Sequence, residues 1–155
     1  MTKKLKTTRA QKPKPTIELT IADTVGDCYS TLENLGQEFR DICDNTPDSL
    51  QSTDLYDRRD TTASTIEGMS EPDVPEWLGE VTFIWTQWPM SSTKSRGGQC
   101  SEAAAMLQAV VDKLDELIEA NSYTKEQNDE MSSLKDDLET IISEAEGCEW
   151  PGMFG

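Results

Sequence analysis

Histidine is missing from this chain of 155 residues, and cysteine occurs only four times. Without histidine the chain lacks the commonest general base and the commonest metal ligand of proteins. The cysteines stand far apart and form no CxxC pair, so the sequence has no zinc knuckle. A Walker A loop, a dinucleotide-binding glycine fingerprint and a G-x-S-x-G motif are also missing. We therefore expect a protein that is not an enzyme and that requires no metal or cofactor.

Long apolar runs are absent as well. No stretch approaches the ~20 apolar residues that span a bilayer. The charged start has no apolar signal-peptide core, and no Asn-x-Ser/Thr sequon occurs. These observations predict a cytoplasmic protein with reduced, partly buried cysteines and no membrane partner.

Basic residues are few and unevenly distributed. There are 14 of them against 30 acidic residues, which gives a formal net charge of −16. Six lie in the first 17 residues, where there is no acid, so the rest of the chain has 8 basic and 30 acidic residues, a net charge of −22. We predict that residues 1–16 form a disordered arm that either contacts phosphates or an acidic protein surface, or simply keeps the chain solvated. The basic residues of this arm are Lys3, Lys4, Lys6, Arg9, Lys12 and Lys14.

The most regular pattern in the chain is an apolar seam whose members are separated by alternating steps of four and three residues. Its members are Ile21, Val25, Cys28, Leu32, Leu35, Phe39 and Ile42. Such a seam predicts a helix, here over about 18–45, that lies against a partner helix. Gly26 and Gly36 interrupt it, and either could mark the close approach of a neighbouring helix.

Three further helices are predicted. One begins at Thr46-Pro47, has a thinner apolar face and ends near Gly68. Another covers about 101–121, and the last follows a Thr124-x-x-Gln127 capping box and ends near residue 146. Short connections favour antiparallel pairs. The predicted fold class is therefore all-α, with two helical hairpins (17–69 and 100–147) that form a four-helix bundle or a coiled-coil-like assembly.

The hairpins are joined by a linker, residues 70–99, that is rich in proline and tryptophan. Its run from residue 81 to 88 is β-branched and aromatic, which predicts a lone extended segment. A lone strand must pack on helices, pair with a second copy or accept a partner strand. The C-terminal tail, residues 148–155, is aromatic too. The aromatic residues either pack on the helices or bind a partner, and the candidates are Trp77, Trp85, Trp88, Trp150 and Phe154.

Carboxylates dominate the polar faces of the third and fourth helices. The candidate partner-binding residues are Asp112, Asp115, Glu116, Glu119, Glu126, Asp129, Glu130, Asp136 and Asp137. Such a face attracts basic surfaces, as a nucleic-acid mimic does, or it serves only to keep a small protein soluble.

Two phrases, STIEGMSEPDVPEWLGEV and SEAEGCEWPGMFG, resemble those of small acidic helical proteins of bacteriophages and mobile elements. The resemblance implies a phage-type accessory protein in the host cytoplasm or associated with the virion, and it contains no motif of assigned chemistry. We expect an interaction protein whose acidic face binds a basic partner, for which a nucleic-acid-binding protein is one candidate. The alternative is a scaffold that self-associates through the first helix and the aromatic linker, with its arm on nucleic acid.

Overall fold

A computed structural model describes residues 16–86 and 95–151 of the chain. These two ranges contain two β-strands, five α-helices and one short 3-10 turn. In chain order they are β1 (Thr16–Thr20), α1 (Ile21–Asp44), the 3-10 turn (Asp48–Leu50), α2 (Asp54–Glu67), α3 (Glu76–Gly79), β2 (Thr82–Thr86), α4 (Arg96–Ala120) and α5 (Lys125–Glu146). The described chain is thus mostly helical, as expected, with one small sheet.

Helix α1 supplies the centre of the core. It packs against both α2 and α4, and α4 packs in turn against α5. Six of the seven predicted seam residues are buried, while Ile42 is only half-buried and its neighbour Cys43 is buried instead. Because a straight helix has 3.6 residues per turn, a heptad stripe drifts around it, and the drift shows at this end. The seam is therefore covered by helices of its own chain.

The two strands form an antiparallel pair in which Leu19 lies opposite Phe83 and Ile17 lies opposite Trp85. The described part of the predicted lone segment is therefore paired, and the prediction that it is alone was wrong. The first helix also begins later than predicted, because residues 16–20 alternate in burial as a strand does. Thr20 then caps α1, since its Oγ1 accepts a hydrogen bond of 3.2 Å from the Asp23 amide.

Helix α2 also begins later than predicted. The chain passes from Pro47 into the 3-10 turn, and α2 starts only after Thr53, whose Oγ1 accepts a 3.2 Å hydrogen bond from the Tyr56 amide. Farther along, α2 approaches α1 closely at Gly36, where a Cβ would lie 2.7 Å from Ile66 Cγ2. At Gly26 a Cβ would meet no atom of the described residues within 4 Å.

Helices α4 and α5 form a tight antiparallel hairpin. Asn121 turns the chain with a left-handed backbone (φ 51°), and both hydrogen bonds of the predicted capping box between Thr124 and Gln127 are present. Helix α4 starts at Arg96, earlier than predicted, because the Ser95 hydroxyl caps it by accepting from the Gly98 amide at 3.0 Å. This hairpin therefore closes on signals within its own sequence.

Residues 148–151, which we call the C-terminal strap, cross from the end of α5 to the first hairpin. The Thr62 hydroxyl of α2 donates to the Glu149 carbonyl at 2.8 Å, and the Glu149 carboxylate pairs with Arg58 at 3.1 Å. The next residue, Trp150, lies with its ring centroid 5.1 Å from that of Phe39 in α1. The end of the seam is thus covered by the strap.

Candidate functional site

The carboxylates predicted on the third helix lie along α4 as a strip. Asp112, Glu116 and Glu119 are exposed, and Asp115 is half-buried. Asp115 forms a 2.7 Å ion pair with Lys135, so it joins α4 to α5. This pair lies between the strip on α4 and the carboxylates of α5.

The five predicted carboxylates of α5 are all exposed, but they do not share one side of the helix. Asp129 and Asp136 are seven residues apart and lie opposite the buried residues. Glu126, Glu130 and Asp137 follow a spacing of four and seven residues along one flank. The predicted acidic face is therefore a surface that wraps around two helices, and we call it the acidic surface.

Few cations offset the acidic surface. Residues 95–151 contain 14 Asp and Glu against 4 Lys and Arg, a net charge of −10. Among the residues that the structure describes, ion pairs reach only two of the nine predicted carboxylates, Asp115 through Lys135 and Glu116 through Lys113. Neutral donors contact two more, since Gln108 donates to Asp112 at 3.1 Å and Trp77 to Glu130 at 3.4 Å. The remaining charge faces water.

The predicted aromatic site does not form one cluster. Trp77 stacks at a tilt on Tyr123, with ring centroids 5.2 Å apart, and borders the flank of α5. Trp85 lies half-buried in β2, and Trp150 lies on Phe39. The three described tryptophans thus occupy three separate places on the core. The predictions for Trp88, Phe154 and the basic arm fall outside the residues that the structure describes.

An exposed apolar side chain adjoins the α4 strip. Ile84 of β2 is 64% exposed and lines a groove of about 460 Å³ between the sheet and α4. Asp112 and Glu116 line the same groove. A partner that meets the strip would therefore also find apolar contact there.

Burial suppresses the reactivity of the cysteines. Cys28, Cys43 and Cys100 are buried and Cys148 is half-buried, and all four are free thiols. Burial, reinforced by Asp27 and Glu102, raises the pKa of Cys28 to about 12. Burial likewise raises the pKa of Cys148 to about 11. These thiols are protonated near neutral pH, and a thiol is a much weaker nucleophile than a thiolate.

Two further properties concern metals and membranes. Across residues 16–86 and 95–151, no group of three or more Cys, Asp or Glu side chains has a geometry that could hold a metal ion. In the same part of the chain, every helix is too short or too polar to cross a bilayer.

The contacts of the strap were missed in the sequence. Thr62 of α2 is almost fully buried. The polar residues around it in the sequence did not indicate that its side chain is buried. Three described arginines contact the strap or the ring on which it lies. Arg58 pairs with Glu149, and the guanidinium carbons of Arg59 and Arg96 lie 6.0 Å and 5.3 Å from the centroid of the Phe39 ring. Local sequence patterns did not indicate this cluster, because its arginines come from α2 and α4, which are far apart in the sequence.

No known protein family, curated protein or solved structure matches this chain.

Proposed function

We propose that this chain is a non-catalytic, phage-type accessory protein of the host cytoplasm whose acidic surface engages a basic partner protein. The observation that carries the proposal is the net charge of −10 over residues 95–151, displayed on two adjacent helices whose carboxylates mostly face water. Such a field accelerates encounter with a positively charged surface and favours it over neutral competitors. Proteins that bind nucleic acid present such surfaces, so a nucleic-acid-binding partner is the preferred class.

The rigidity of the hairpin supports this proposal. The capping box at Thr124, the ion pair between Lys135 and Asp115 and the packing of α4 on α5 hold the carboxylates in fixed positions. Preorganised charges lose less conformational entropy on binding than charges on a mobile tail. We propose that α1, α2, α4 and α5 act as one four-helix bundle that presents this surface.

Self-association through the α1 seam is the weaker alternative. Ile21, Leu32 and Phe39 have no exposed surface, so a second copy could reach the seam only if the core opened. Opening would expose the same apolar area that the contact would bury. The acidic surface needs no such rearrangement.

The test compares two variants that each remove four negative charges. The surface variant carries Asp112→Asn, Glu119→Gln, Asp129→Asn and Asp136→Asn, all at exposed positions without an ion pair in the described structure. The control variant carries Glu33→Gln, Asp73→Asn, Glu76→Gln and Glu80→Gln, which are exposed on other elements. Each protein is immobilised, exposed to a bacterial lysate and eluted with a salt gradient.

We expect the wild type and the control variant to retain the same basic protein and the surface variant to lose it. Retention should fall steeply with salt, because the Debye length shrinks from about 10 Å at 0.1 M to about 3 Å at 1 M. Added DNA should release the partner if it binds nucleic acid. Equal retention by the surface variant would refute the proposal at this surface.

A further inference from the structure

The first hairpin has a cavity of about 580 Å³ at its tip, between the end of α1, the 3-10 turn and the start of α2. We call it the tip pocket. Its apolar lining comes from Ile42, Pro47, Leu50, Leu55 and Tyr56. The volume falls within the range of ligand pockets in proteins. The pocket lies on elements other than α4 and α5, so it is independent of the acidic surface.

The apolar lining of the tip pocket is open to water. Leu50 is 50% exposed, and in the described ranges it and Ile84 are the two large hydrophobic residues with this much exposed surface. Ile42, Leu55 and Tyr56 are half-buried. Solvent contact with a concave apolar surface is unfavourable, and the free energy is recovered when a partner side chain covers it.

Aspartates are concentrated in and next to the segments that line the tip pocket. Asp41 lines the pocket itself, and four exposed aspartates are each adjacent in sequence to a lining residue. These four are Asp44, Asp48, Asp54 and Asp57. Among described residues one of the five forms an ion pair, Asp54 with Arg58 at 3.8 Å. A ligand for this pocket must therefore bring positive charge around its apolar part.

The arginines of this hairpin already have partners. Arg40 forms ion pairs with Asp60 at 2.7 Å and Glu67 at 2.9 Å, and Arg58 pairs with Glu149 in the strap. Arg59 also lines the pocket, and its guanidinium lies over Phe39. Arg40 and Arg58 are thus already paired with carboxylates, and the five aspartates in and next to the pocket lining outnumber Arg59, the one cation among the lining residues.

We infer that the tip pocket docks a short segment of a partner protein in which apolar side chains are flanked by lysine or arginine. The apolar side chains would cover Leu50 and Leu55, while the flanking cations would meet Asp44, Asp48 and Asp57. A basic, partly apolar segment also suits the highly acidic protein at long range. This inference stands whether or not the acidic surface has a partner of its own.

The probe is a fluorescein-labelled peptide, Lys-Lys-Leu-Leu-Lys-Lys, titrated with the full chain and followed by fluorescence anisotropy at low salt. A second peptide has serine in place of both leucines, and a third has glutamate in place of the lysines. We expect only the first peptide to bind below millimolar concentration. Leu50→Ser should weaken its binding about tenfold, because the variant loses roughly the burial of one leucine.

The matched control is Ile84→Ser, which makes a similar change at the other exposed apolar position and should leave the affinity within twofold. A triple variant, Asp44→Asn, Asp48→Asn and Asp57→Asn, should weaken binding and flatten its dependence on salt. Circular dichroism confirms that each variant is folded, and the exposure of all these side chains makes unfolding unexpected.

Several outcomes would overturn the inference. They are failure of the first peptide to bind at 1 mM (about 4 kcal/mol of binding free energy), equal binding of the serine peptide, and equal losses in Leu50→Ser and Ile84→Ser. Sedimentation velocity adds another, since a dimer that Leu50→Ser dissociates would identify a second copy as the occupant. A protein without residues 152–155 that bound the peptide tenfold more tightly would identify its own C-terminus as the occupant.

Discussion

The two helical hairpins of this protein are completed in different ways. The α4–α5 hairpin has a capping box, a left-handed turn residue and an interhelical ion pair, all within 95–147. The α1–α2 hairpin has a longer connection with a 3-10 turn, and α2 has only three buried residues against six in α5. The first hairpin gains its remaining cover from the strap, which brings Glu149 and Trp150 from the far end of the chain.

This difference shows how a thin helix can still belong to a stable core. Helix α2 approaches α1 closely at Gly36, its Asp60 and Glu67 clamp Arg40 of α1, and its Thr62 binds the strap. These contacts compensate for the few apolar residues of α2. The arrangement predicts that perturbing the strap or the close approach will loosen the first hairpin before the second.

The largest expected effect comes from Trp150→Ala. Removing the indole uncovers Phe39, and we expect a loss of about 3 kcal/mol in the free energy of unfolding, measured by urea denaturation. Amide hydrogen exchange should quicken more in α2 than in α5, because the strap supports the first hairpin. Trp150→Phe, which keeps an aromatic ring there, should recover part of the loss. Equal loss of protection in α2 and α5 would contradict the claim that the strap supports mainly the first hairpin.

Alanine substitutions at two glycines of α1 should have opposite signs. Gly36→Ala places a Cβ 2.7 Å from Ile66 Cγ2 on a stiff β-branched side chain, so we expect a loss of about 1–3 kcal/mol. Gly26→Ala meets nothing within 4 Å in the same helix and should gain about 0.5–1 kcal/mol. Thermal unfolding of both variants measures the difference. The same sign for both would contradict the close approach of α2.

A further expected effect is a pH dependence of stability that arises at Cys28 of α1. Burial raises the pKa of this thiol from 9.0 to about 12, so the folded state holds the proton more tightly than the unfolded state. Its contribution to stability is therefore complete below pH 9 and falls as pH rises from 9 to 12. The expected loss at pH 10 is on the order of 1 kcal/mol.

Cys28→Ala serves as the reference for this pH dependence, since it removes the thiol and leaves every other titrating group in place. The slope of unfolding free energy against pH above 9 should be shallower in this variant than in the wild type. Parallel slopes in the two proteins would mean that the pKa of Cys28 is the same in the folded and unfolded states.

Much of the helical architecture could be predicted from periodicity alone. The α1 seam follows from the spacing of its apolar residues and the start of α5 from the capping box at Thr124, and the structure confirms the burial of six seam residues and both hydrogen bonds of the box. The strand at residues 16–20 was missed because it is short and runs directly into the helix. Thr20 and Asp23 could have indicated the boundary, because Thr is a favoured helix N-cap and Asp is favoured in the first turn. A helix that begins after Thr20 leaves residues 16–20 outside it.

The contacts between distant segments could not be predicted in the same way. The contact of Trp150 with Phe39 and the bond between Thr62 and Glu149 depend on where two hairpins meet, and no local propensity encodes that meeting. The residues of the acidic surface were predictable in number, since charge is read directly from the sequence. The ion pair between Lys135 and Asp115, which separates the carboxylates of α4 from those of α5, could not be predicted. It depends on how α5 is rotated against α4.

The strap also bears on how the protein forms during synthesis. Arg58 and Glu149 are 91 residues apart, and both belong to the closing contact of the first hairpin. A ribosome therefore releases α1 and α2 long before the segment that covers Phe39 has been made. We expect the nascent first hairpin to expose apolar surface until residues 148–151 emerge, whereas α4 and α5 can pair as soon as both are outside the exit tunnel. Completion of the native core thus waits for the synthesis and release of the strap.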